Sequence, residues 1–314
     1  MAIIHRAAEG RGLVTHWRAS LISQGRAGRR NWAGIALFLL GTLAILLVLF
    51  VLLGAETLWR AGTVSLTSVG FSYFLAQRAR VTTVSVVAVI AIPTGCLYSS
   101  ASMVTMLSAQ SDPAAVPSAF AAALAIAAAG GVISAIAYLL SDERDLESFY
   151  PLSTRDFLRL AVGFSFVFIS YLVFSLGEIG LLVLFFDPLP FLISVAFLAC
   201  GFGTSLLSKK PLSAVLPTAS SFAALFGVAL AVVNYMVVSL REDALSEVGP
   251  TMAFGLLSLV YGTFAYTVSI FYASTERSIA ASNLYGTNWH LVEAYTFLVF
   301  LLFAPPSIFE LFNS

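Results

Sequence analysis

The chain has 314 residues, 59% of them hydrophobic and 10% charged, with a mean hydropathy of +0.94. Soluble domains carry about 25% charged and roughly 45–50% apolar residues, so a water-soluble domain is excluded. Sixteen basic residues balance sixteen acidic ones, which leaves no basic surface for nucleic acid. Cys96 and Cys200 both lie in apolar runs, and there are three His, so neither a disulfide scaffold nor a metal or other cofactor is expected.

The pattern predicts an all-α, polytopic helical membrane protein, since a stretch of about 20 apolar residues can cross a bilayer. Residues 1–31 hold no apolar run long enough for a signal peptide and read as a basic cytoplasmic segment. Nine spans follow, near 33–54, 61–77, 82–108, 116–140, 158–183, 188–207, 212–238, 251–273 and 289–309. The span at 61–77 is the least apolar, being rich in Ser, Thr and Gly. With the N-terminus inside, fourteen of the sixteen Lys and Arg fall on the cytoplasmic side, as the positive-inside rule requires. The expectation is a bacterial cytoplasmic-membrane protein with its N-terminus inside and its C-terminus outside.

An internal repeat is also expected. Ile92-Pro93-Thr94-Gly95 matches Leu216-Pro217-Thr218-Ala219 at a spacing of 124, and Gly130 matches Gly262 at 132. Pro93 and Pro217 read as helix-start prolines, a position that proline tolerates. This divides the chain into 1–31, a four-helix unit at 32–140, a parallel four-helix unit at 157–275, and a ninth helix within 288–314.

Ionisable and polar groups inside spans mark candidate sites. Glu178 is the sharpest, because burial would let it carry a proton reversibly. His290 and Glu293, three residues apart on the last helix, form a candidate proton relay. Asn234 is placed to bond between helices, while Asp187-Pro188 reads as a loop turn. No Ser-His-Asp set, phosphate loop or metal carboxylate pair occurs, so no enzyme is expected.

Gly249-Pro250-Thr251-Met252-Ala253-Phe254-Gly255-Leu256-Leu257-Ser258-Leu259-Val260-Tyr261-Gly262 resembles the last span of the MotA/TolQ/ExbB proton-channel (stator) family. The first unit carries a looser version, from Asp112-Pro113 through Ala121, Leu124 and Gly130. The resemblance covers about 50 residues per unit and would make the chain a tandem-duplicated variant. It implies a stator ring around a single-span partner, with an ion path lined by hydroxyls. Carried onto this chain, the path falls on Ser99, Ser100 and Ser258, with Thr94 and Thr218 beside the prolines and Glu178 as carrier. The family's large cytoplasmic domain is missing, since only Gln77-Arg78-Ala79-Arg80 and Lys209-Lys210 stand in its place. Two other readings stay open: a non-channel accessory subunit of a membrane complex, and a small-solute transporter built from parallel repeats. The partners expected are membrane lipid and other membrane subunits or further copies of the chain.

Overall fold

A computed structural model describes residues 55–79, 81–108, 116–141, 152–176, 179–209, 211–239, 248–274, 288 and 291–292. The expected segments 1–31 and 33–54, and nearly all of 289–309, lie outside the described residues. Among those described, every regular element is helical, as the membrane demands of backbone groups that cannot bond to water. The order is α1 (Ala55–Ala79), α2 (Thr83–Ser108), α3 (Val116–Leu140), α4 (Thr154–Leu176), a 3₁₀ segment (Ile179–Phe186), α5 (Pro188–Ser208), α6 (Leu212–Ser239) and α7 (Val248–Ala273). Six of these, all but α1, are long and apolar enough to cross a membrane. This is a helical membrane protein.

Local chemistry sets several boundaries. Ser153 caps α4: its Oγ accepts from the Asp156 backbone N–H at 3.2 Å and donates to the Asp156 carboxylate at 2.8 Å. That reciprocal pair satisfies a backbone donor the first helical turn leaves open. Asp187 is the N-cap of α5, accepting from the Leu189 N–H at 3.0 Å with Pro188 in the first turn. The expected loop turn there is therefore a helix start. α5 ends at Lys209, whose φ of 53° closes the helix in the left-handed region.

α2 is the axis of the bundle. It has no polar stripe, and its membrane-length window is wholly buried, packed by α1, α3, α4 and α7. Glycine and alanine make the approaches close. A methyl added to Gly95 would lie 2.9 Å from the Gly130 Cα, and one added to Gly130 would lie 2.7 Å from the Ala91 carbonyl oxygen. α6 and α7 form a second pair of the same kind, with Gly227 against the Leu259 backbone and Gly262 against Ala223 and Ala224.

Aromatic rings tie the halves together through α4. Phe164 sits edge-on to Phe71 of α1 and Phe271 of α7, at 5.3 and 5.6 Å between centroids, and Phe168 meets Phe264 at 5.7 Å. Such ring pairs add about 0.5–1.5 kcal/mol each beyond the area they bury. The outward faces are apolar, with Leu66, Phe166, Phe174 and Leu207 largely exposed, as lipid contact requires.

Candidate functional site

Proline lacks the N–H that would bond four residues back. Pro93 is the eleventh residue of α2, well past the first two turns, so the expectation of a helix-start proline is corrected to a proline inside a helix that runs on from Thr83 to Ser108. Pro217, the sixth residue of α6, does lie near its helix start. The acceptor that Pro93 leaves without a helical donor is the Val89 carbonyl. Asn288 supplies the missing bond: its Nδ2 donates to the Val89 oxygen at 2.8 Å. Its Oδ1 accepts from the Tyr266 hydroxyl of α7, also at 2.8 Å. Asn288, Val89 and Tyr266 are all buried. One amide thus joins the freed carbonyl of α2 to the neighbouring helix α7, and the Cys96 thiol is buried one turn further along α2.

A second polar cluster lies toward the other end of α2. The Thr67 and Tyr98 hydroxyls share a hydrogen bond at 3.2 Å, and Ser102 and Tyr171 share one at 2.5 Å. The Tyr98 and Tyr171 rings meet edge-to-face at 4.3 Å, with Trp59 5.7 Å from Tyr171. Arg60, buried on α1, interacts with Tyr171. A buried cation is unusual enough to mark this cluster as a second candidate site.

The residues singled out from sequence do not converge. Ser99 donates to the Ala123 carbonyl at 2.6 Å across the α2–α3 contact, while Thr94 and Ser100 bond to the Ile90 and Leu97 carbonyls of their own helix. Ser258 faces the Pro190 carbonyl of α5 at 3.5 Å. Thr218 is half-buried on α6, its carbonyl accepting from Ser221. Asn234 does bond between helices, donating to the Thr251 carbonyl at 3.2 Å. Glu178, His290 and Glu293 lie outside the described residues. Sequence reasoning missed Asn288, Tyr266, Thr67, Tyr98, Ser102 and Tyr171. Only Pro93 offered a signal, because an orphaned carbonyl in a span needs a donor.

One further regularity frames the site. α5, α6 and α7 begin 133, 129 and 132 residues after α1, α2 and α3. Some of the close contacts recur at a spacing of 132. Gly95 approaches Ala127 as Gly227 approaches Leu259, and Gly130 approaches Ala91 as Gly262 approaches Ala223. Ser99 meets Ala123 as Ala231 meets Gly255. In these contacts Gly95 and Gly227 occupy corresponding places, whereas the proline match sets Gly95 against Ala219.

Comparison with known proteins places the chain beside none of them: no protein-family model, curated protein or solved structure matches it.

Proposed function

We propose that the chain is a membrane transporter for a small solute, built from two parallel repeats joined through α4. α1–α3 form the core of the first repeat and α5–α7 that of the second. Three helices plus one connecting helix return the chain to the same side, so both triplets face the same way. The spans at 33–54 and 289–309 complete nine crossings, with the N-terminus cytoplasmic and the C-terminus outside. The single observation that carries this reading is the recurrence at 132 residues of two glycine-to-backbone approaches, with a third pair of positions in interhelical contact in both places.

Transporters of this design place their solute near mid-membrane, where the repeats meet, and use interrupted helices there. α2 is continuous, but Pro93 leaves the Val89 carbonyl without a helical donor on this side, and Asn288 and Tyr266 are the polar groups beside it. Rocking one triplet against the other would separate α2 from α7 and release the Asn288 bonds to solute or water. The stator-type channel is the weaker reading. The hydroxyls it assigns to an ion path, Thr94, Ser99 and Ser100, are buried and bonded to helix carbonyls.

Thiol labelling tests the proposal without a known substrate. In Cys200→Ser protein in native membranes, Cys96 should react with N-ethylmaleimide within minutes, because the junction opens on the μs–s timescale of such motions. Protection of Cys96 until the protein unfolds would refute a moving junction and leave a static scaffold.

A further inference from the structure

A groove of about 530 Å³ opens sideways between α1 and α4, lined by Leu66, Gly70, Phe71, Phe74, Leu160 and Val167, with Arg159 at one end and Thr63 toward the other. It is separate from the junction of the two repeats. Its hydroxyls are already engaged, Thr63 with the Trp59 carbonyl and Thr67 with Tyr98, so the walls are effectively apolar. From Phe74 to Thr63 the helix rises about 16 Å, close to one leaflet of a hydrocarbon core about 30 Å thick.

The Arg159 end carries guanidinium groups. Among the described residues there, Arg78 and Arg159 both approach one carboxylate, Asp156, and both cations are exposed. Arg78 and Arg159 approach Asp156 only to 3.8 and 3.7 Å, beyond hydrogen-bond distance, so that carboxylate does not hold either guanidinium by a hydrogen bond. Arg78 is held over the groove's Phe74 ring at 5.6 Å. An apolar slot one leaflet long, ending in two guanidinium groups, is complementary to an anionic phospholipid. We infer that one such lipid binds here, an acyl chain along Gly70 and its phosphodiester on Arg78 and Arg159. Guanidinium suits the phosphate because its planar fork donates paired hydrogen bonds.

The glycine at the centre makes the site testable. A Cβ at Gly70 meets nothing within 4 Å, and the same holds for Gly62, which does not line the groove. Gly70→Leu should fill the slot without disturbing the helix, and Gly62→Leu is its control. Delipidated full-length protein in detergent would be titrated with phosphatidylglycerol and with phosphatidylcholine, and bound lipid counted by native mass spectrometry. Phosphatidylglycerol should bind about tenfold tighter, a difference of about 1.4 kcal/mol. The exposed double variant Arg78→Gln/Arg159→Gln should abolish that preference, Gly70→Leu should weaken both lipids, and Gly62→Leu should change neither. Equal binding of the two lipids, or no effect of Gly70→Leu, would overturn the inference. So would displacement of phosphatidylglycerol by millimolar inorganic phosphate, which would mark a free-phosphate site instead.

Discussion

Asn288 donates to the Val89 carbonyl, the one acceptor on α2 that Pro93 deprives of its helical donor. The pair lies 199 residues apart in sequence, so the bonding of α2 is completed only when a distant segment packs against it. The same amide accepts from Tyr266, which makes it a joint between the helices of the two halves.

Replacing Asn288 by Leu strands two buried polar groups, at a cost of about 1–3 kcal/mol. The cost should shrink in a Pro93→Ala background, because alanine at that position returns a backbone N–H to the Val89 carbonyl. A double-mutant cycle by thermal unfolding in detergent measures the coupling, expected near 1 kcal/mol. Additive effects would mean that Asn288 does not serve the carbonyl that Pro93 frees.

Equivalent glycines should behave alike. Gly95→Val and Gly227→Val each drive a side chain into a neighbouring backbone, against Gly130 and Leu259 respectively, and should destabilise by about 1–3 kcal/mol or more. Gly62→Val and Gly203→Val project into open space and should stay within about 0.5 kcal/mol plus the small propensity change. Melting temperatures of the four purified variants check the pattern.

Ser99→Ala separates the channel reading from the transporter reading. The lost interhelical bond to Ala123 should cost about 0.6 kcal/mol, the average for such bonds in a membrane. Proton flux into proteoliposomes, followed with an entrapped pH dye, should not differ from that of unaltered protein. A change in flux with the fold intact would favour the stator-type path.

Ser153→Ala removes the reciprocal cap of α4 and should lower stability by about 1 kcal/mol. Asp156 then loses its Ser153 partner while its long contacts to Arg78 and Arg159 remain. Exposed pairs of that kind contribute little, so they should not compensate. Thermal unfolding at low and high salt tests both statements.

Apolar run length made most spans legible: 116–140 coincides with α3, and 82–108 differs from α2 by one residue. α1 was drawn too short, at 61–77 against Ala55–Ala79, because buried Ser65, Thr67, Ser68 and Ser72 lower its hydropathy while leaving it a good helix. The expected repeat was aligned on its prolines, and the proposed two-repeat reading aligns it instead on glycines. A proline in a membrane helix can shift when another group satisfies the freed carbonyl, as Asn288 does. A glycine whose Cβ would meet another backbone is harder to replace, and so the proposed register rests on Gly95 and Gly227. The polar joints were illegible for a different reason. Ser102 and Tyr171 are 69 residues apart, and only the packing of α2 on α4 brings them together.

The most direct test of the two-repeat account is the sidedness of the α1–α2 and α5–α6 turns. Gln77 and Ser208 are exposed at the ends of α1 and α5. In a chain freed of cysteine by Cys96→Ala and Cys200→Ser, Gln77→Cys and Ser208→Cys would each be treated with an impermeant maleimide in sealed vesicles of known orientation. Parallel repeats predict that both are labelled from the same face of the membrane; labelling from opposite faces would contradict the account.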